Sequence, residues 1–326
     1  MRNIPVIADV VNDPYSIEEY IANYEKFKDF LLPEDFPVNS DCPCKTAIID
    51  TIENFIRLIN PGNDDIENAK KENVGIATRI GFTYGKFTAK IQFPQQINKT
   101  NVWNGLTNAF WLIYQDESEW NQRRICLKDG YIPKADPEGQ HTRIQYTNYS
   151  EIDFEIVKDS KFWSKTSYRD VDVIPTEDPT KSNEIIVACT NWDMACNEPP
   201  KYNIGAYDVI AADTSFVFHR WDNWYRATTH KHAVQQTEIS SRDYYYYQIE
   251  WKPDKIIWRI GPEKDQLQMV AYIDHNYSAI PNNQMIMVVT QEWHFSKWWP
   301  NTPFKQEFIP YPKNDLVGRI LEIEIE

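Results

Sequence analysis

Three acids stand two residues apart in the run Ser150-Glu151-Ile152-Asp153-Phe154-Glu155-Ile156. Successive side chains of an extended strand point to opposite faces, so Ile152, Phe154 and Ile156 turn to a core while Glu151, Asp153 and Glu155 share the other face. At ~3.3 Å per residue the two glutamate Cα atoms lie ~13 Å apart, and side chains leaning inward over a concave sheet bring the carboxyl groups to within roughly 6 Å. A carboxyl pair about 5 to 5.5 Å apart suits displacement at a sugar's anomeric carbon with retention, one acid as nucleophile and the other as proton donor. Crowding divides the work. Glu151 stays ionised as nucleophile, Glu155 holds a raised pKa and protonates the glycosidic oxygen, and Asp153 shares a proton or hydrogen bond with the nucleophile.

The same alternation recurs in Glu322-Ile323-Glu324-Ile325-Glu326. There it reads as a closing strand with a solvated polar face, so the three acids become a site only through what surrounds them. The surrounding pattern is period two almost throughout. Strands are expected over Asn54 to Ile59, Val74 to Ile80, Tyr84 to Phe93, Thr107 to Tyr114, Tyr149 to Val157, Glu184 to Asn191, Thr214 to Phe218, Tyr244 to Trp251, Lys255 to Ile260, Gln268 to Tyr272, Met285 to Gln291 and Arg319 to Ile325. One helix is expected, over 16 to 31, where Ser16 and Glu19 form a capping box and Ile17, Ile21, Tyr24, Phe27 and Leu31 share a face. A dozen strands and one helix make an antiparallel sandwich, with residues 1–45 as a helical extension and 46–326 as the β-sandwich domain. The long loops Asp116 to Thr147 and Lys158 to Asn183 are expected to shape a binding site on it.

Several ordered segments, spanning most of the chain from about Asn54, resemble glycoside hydrolase family 16, the group of lichenases, laminarinases and xyloglucan endotransglycosylases. Tyr84-Gly85-Lys86-Phe87-Thr88-Ala89-Lys90-Ile91 is similar to the family's YG-x-F/Y-E-A-R-I strand, and Asn108-Ala109-Phe110-Trp111-Leu112 to its PAFWL strand. Glu151 to Glu155 has the E-x-D-x-E form, without the extra residue of the bulged form. Thr190-Asn191-Trp192 resembles a TN segment, and Ile249-Glu250-Trp251-Lys252-Pro253-Asp254-Lys255-Ile256-Ile257-Trp258 an EW-x-P-x-x-I-x-W hairpin. Asn108 stands where the family has Pro, Tyr149 where it has Trp, and Gly261-Pro262 where it often has Asp-Gly.

The resemblance implies a concanavalin-like β-jelly-roll of two antiparallel sheets. It also implies a retaining endo-hydrolase of a β-linked, glucan-like polysaccharide, with Glu151 as nucleophile, Asp153 as assisting acid and Glu155 as acid/base. Trp103, Trp111, Trp293 and Asn191 fall at positions that line the family's cleft, and Tyr149, two residues before Glu151, shares that acid's face. A structural calcium occurs in relatives, though no residue here locates one, and no cofactor is expected. A sugar acceptor in place of water would make the same acids a transglycosylase. A non-catalytic carbohydrate-binding sandwich and a structural surface protein stay open, because a fold hosts many functions.

Bulk composition is consistent with a carbohydrate partner. The formal charge of -14 argues against nucleic acid and favours a neutral polymer. The 12 Trp and 19 Tyr provide flat apolar faces for sugar rings. His230 and His232 share a strand parity but lack a third ligand, and read as ordinary surface or loop histidines. Five cysteines, Cys42, Cys44, Cys126, Cys189 and Cys196, give no zinc spacing and no readable disulfide framework, and for Cys189 and Cys196 both a loop-closing bridge and free thiols stay open. No run is long and apolar enough for a membrane span, and Met1 to Asp9 has no signal-type apolar stretch. The expected protein is a soluble monomer working outside the cell or in the periplasm, its leader removed.

Overall fold

The computed structural model describes residues 3–5, 14–16, 47–60, 73–96, 106–115, 149–158, 184–192, 205–220, 227–282, 284–293 and 315–326. Trp103, Cys42, Cys44, Cys126, Cys196, the loop Asp116 to Thr147 and the expected helix beyond Ser16 lie outside them. So does the loop after Lys158 up to Asn183. At the start of the chain β1 (Asn3–Pro5) pairs antiparallel with β2 (Pro14–Ser16), so Ser16, read from sequence as a helix cap, is a strand residue.

Two antiparallel sheets make up the jelly-roll sandwich. One has eight strands in the order β10 (Gly205–Ala211), β11 (Thr214–Arg220), β12 (Thr228–Gln235), β9 (Glu184–Trp192), β8 (Tyr149–Lys158), β7 (Leu106–Gln115), β16 (Ile286–Trp293) and β5 (Val74–Ala77). The other has seven, β15 (Gln268–Asp274), β14 (Lys255–Gly261), β13 (Tyr245–Trp251), β6 (Gly85–Gln92), β17 (Leu316–Ile325), β4 (Phe55–Asn60) and β3 (Ala47–Asp50). The chain passes between the sheets repeatedly, so each sheet mixes early and late strands.

All twelve strands expected from sequence are present, within a few residues at each end. Three in the sandwich were not expected, β3, β10 and β12. Between β12 and β13 the chain forms a single helical turn, α1 (Gln236–Ser240), also unforeseen. Among the described residues no helix is long and apolar enough to cross a membrane.

The core lies between the sheets, where Phe154 meets Tyr247 edge to face at 5.9 Å and Phe218 meets Trp258 at 6.4 Å. Strand β9 is buried on both faces from Ile185 to Trp192, which explains its nearly continuous apolar sequence. The Tyr84-Gly85 pair is a structural corner. Tyr84 takes a left-handed φ of 67° and sets its ring edge on Trp251 at 5.1 Å. Gly85 has φ 139°, and a Cβ there would meet the Glu326 carbonyl oxygen at 3.1 Å.

Candidate active site

Strand β8 lies well inside its sheet, paired on one side with β7 and on the other with β9, and both registers run unbroken past the acids. The E-x-D-x-E run is therefore unbulged, and the strict alternation read from sequence holds. Ile152, Phe154 and Ile156 are buried in the core, and Glu151, Asp153 and Glu155 share the opposite face. Hydrogen bonding on both edges makes the strand rigid, which like-charged neighbours require if they are to stay aligned.

The outer two acids differ from the middle one. Glu151 and Glu155 are half-buried, whereas Asp153 is 3% exposed. Burial, reinforced by the Glu151 and Glu292 carboxylates, pushes the Glu155 carboxyl well above the usual carboxylate range. Asp153 is likewise raised, first by burial and then by Glu151, Glu155 and Glu292. Asp153 Oδ1 and Glu155 Oε2 are out of solvent contact, and among the described residues neither has a hydrogen-bond partner. Such atoms favour the protonated, neutral carboxyl.

Cross-strand register identifies the residues that share this face. Asp153 stands opposite Trp111 on β7 and Thr190 on β9, and the row continues through Thr229 on β12 to His219 on β11. Trp111 Nε1 donates to Thr290 Oγ1 at 3.2 Å, which fixes the indole beside the acids. The Thr190 and Thr229 hydroxyls are 3.0 Å apart and hydrogen-bonded. Glu151 stands opposite Trp192. Glu155 is flanked by Ala109 and Ala188, and beyond Ala188 the same row reaches Lys231.

Of the residues expected to bind sugar, Trp111 lies on the acid face. The backbone of Tyr149 continues that parity along β8. Asn191 does not lie there, and this corrects the sequence expectation. It shares the inner face with Ile152, where its Nδ2 donates to Ser278 Oγ at 2.8 Å and to the Ala279 carbonyl at 3.0 Å, tying β9 to the segment after β15. The backbone position of Trp293 also belongs to the inner parity, opposite Leu106, whereas its neighbour Glu292 falls on the acid side. Trp103 lies outside the described residues.

Trp192, Lys231 and Glu292 escaped sequence reasoning. For Trp192 a usable signal existed, since it lies one residue past Asn191 and so takes the opposite face. Lys231 sits in β12, whose polar sequence Thr-Thr-His-Lys-His hid the strand. His230, in the same strand, is a partly buried strand residue and not a loop histidine. It packs against the Phe216 and Phe218 rings, each at 5.5 Å, and its Nδ1 donates to the Val217 carbonyl. Burial lowers its pKa to about 4, so it is neutral at physiological pH. Among the described residues no group of His, Cys, Asp or Glu is placed to hold a metal ion, and Cys189 is a buried free thiol.

No family model and no curated protein matches the chain. Solved structures similar to it include a glycoside hydrolase family 16 endo-glucanase from Bacteroides ovatus, at 11% identity and a TM-score of 0.47, covering 86% of this chain and 84% of that one. The kappa-carrageenase of Pseudoalteromonas carrageenovora is similar at 13% identity and a TM-score of 0.44, covering 86% and 82%. The laminarinase catalytic domain of Thermotoga maritima is similar at 11% identity and a TM-score of 0.42, covering 86% and 80%. At such identities and TM-scores these likenesses add nothing to what the residues themselves say about chemistry.

Proposed function

We propose that the protein is a retaining, endo-acting glycoside hydrolase of a β-linked, glucan-like polysaccharide, with Glu151 as nucleophile and Glu155 as acid/base. The observation that supports this reading is the one shared face of β8, where two half-buried glutamates flank a covered aspartate beside Trp111 and Trp192. Glu151 attacks the anomeric carbon, and the bond to the leaving sugar's oxygen breaks as Glu155 delivers its proton there. Glu155, now a carboxylate, then takes a proton from the water that displaces Glu151. Asp153, whose carboxyl is pushed well above the usual carboxylate range by burial and by the neighbouring carboxylates, can in its protonated form donate a hydrogen bond to the nucleophile and limit the charge that builds up between the two glutamates. A polymeric substrate of this kind is met outside the cytoplasm, which favours an extracellular or periplasmic site of action.

The test is turnover on β-1,3-, β-1,4- and mixed-linkage glucans, xyloglucan and agarose, with the product anomer followed by NMR. The wild-type protein should release oligosaccharides of retained configuration from at least one of them. Glu151→Gln should lose at least about a thousandfold in rate. Full activity in that variant would remove the assignment.

A further inference from the structure

Glu155 lies between two other glutamates. Glu151 precedes it on β8, and Glu292 projects from β16, two strands away, one row beyond Glu155 on the side opposite Glu151. With strands ~4.8 Å apart and ~3.3 Å per residue, the Glu292 and Glu155 Cα atoms are ~12 Å apart, about what separates Glu155 from Glu151. The β7 residues between them on this face are Thr107 and Ala109, too small to hold two long acidic side chains apart. Both are buried, so the charges interact across protein more than across water.

We infer that Glu292 is a positioning residue whose negative charge, set across the small side chains of Thr107 and Ala109, holds the proton on Glu155 in the resting protein. This rests on the reading of Glu155 as acid/base, and it assigns the tuning of that acid to a strand outside the three-acid run. The charged groups that face Glu155 among the described residues are Glu151 and Asp153 from β8, Glu292 from β16 and Lys231 from β12. Strand β7, which pairs directly with β8, contributes none on this face, and on β9 the acidic position of this parity is Glu184, two rows beyond Ala188 at the start of the strand. Lys231 opposes the effect, but Ala188 separates it from Glu155, and the carboxylates outnumber it. The direction of the Glu155 and Asp153 pKa shifts, to each of which Glu292 contributes, agrees with this placement.

The test is a carboxyl carbon NMR titration of protein labelled at glutamate, with the Glu155 signal assigned by its loss in Glu155→Gln. In Glu292→Gln the Glu155 midpoint should fall by about one pH unit, while Glu292→Asp, which keeps the charge, should leave most of the shift in place. Should Glu292→Gln not fold, Glu292→Ser removes the same charge. In an active protein the alkaline limb of kcat/KM should fall with the NMR midpoint, because the acid is lost at lower pH. A Glu155 midpoint that does not move in the neutral variant overturns the inference, as does a raised KM with an unmoved limb, which would make Glu292 a substrate contact. The NMR readout needs no turnover. An inactive protein whose Glu155 midpoint still falls would refute the hydrolase reading and leave this one standing.

Discussion

At the scale of single residues, the middle acid is the most revealing. Asp153 is covered, lies between two glutamates and has a carboxyl oxygen with no partner among the described residues. Among the described residues no hydrogen bond offsets the burial of that oxygen. An acid whose pKa is raised on folding contributes stability that is complete below its unfolded value, and loses it as pH rises toward the folded value. Asp153→Asn has nearly the same shape and no titration. Relative to wild type, it should therefore gain stability steadily as pH rises from the ordinary carboxylate range to neutrality. Denaturant melts across that range should show the two proteins converging in acid and the variant ahead by at least about 1 kcal/mol at pH 7. Wild type holding its stability across the window would mean that Asp153 ionises in the fold at its ordinary pH. Retaining so costly a group at that position is what a chemical role for the acid row would require.

Individual elements show why the sequence was legible in some places and opaque in others. Strand β8 could be read residue by residue because a buried strand with one polar face carries its orientation in its alternation. The hairpin of β10 and β11 carries no comparable signal. Ala211 pairs with Thr214, and the two residues between them, Ala212 and Asp213, both take positive φ, 47° and 63°. That geometry belongs to a two-residue turn normally marked by Asn-Gly, and Ala-Asp gives no hint of it. An alanine in this region is strained by roughly 1 to 2 kcal/mol. Replacing Ala212 and Asp213 by Asn and Gly should relieve the strain and raise stability by about 1 kcal/mol in denaturant melts, with the fold unchanged. No gain, or a loss, would mean the turn has another geometry. Strand β12 was hidden for a related reason, since its Thr and His residues earn burial from neighbouring strands rather than from their own hydropathy. The same holds for the wider site. The three acids could be found from one strand, whereas Trp192, Lys231 and Glu292 reach them only through register across several strands.

For the molecule as a whole, the question is how the acid sheet is fixed on the other. Apolar contact does most of this, but buried amides tie the sheets at defined points. Asn60 Nδ2 donates to the Gln291 carbonyl at 3.3 Å, and Gln291 Nε2 donates to Asn60 Oδ1, linking β4 to β16. Gly318 on β17 leaves the necessary room, since a Cβ there would fall 1.9 Å from Gln291 Oε1. Asn191 does comparable work behind the acids. Its Nδ2 holds Ser278 Oγ and the Ala279 carbonyl, in the segment after β15, against the back of β9, the strand whose other face bears Thr190 and Trp192 beside the acids. Parity thus separates two roles that the Thr-Asn-Trp sequence alone merges, with Asn191 tying β9 to the segment after β15 and Trp192 facing the site. Asn191→Ala would leave a buried hydroxyl and a buried carbonyl short of a donor. It should cost about 2 kcal/mol in denaturant melts while activity per folded molecule stays within about twofold. A contact to sugar would give the reverse, with stability nearly unchanged and KM raised several-fold. Measured on one variant, the two quantities decide whether Asn191 belongs to the scaffold or to the site. The scaffold result would also establish that the sheet carrying the acids is held by hydrogen bonds from behind, which leaves its front face to the chemistry.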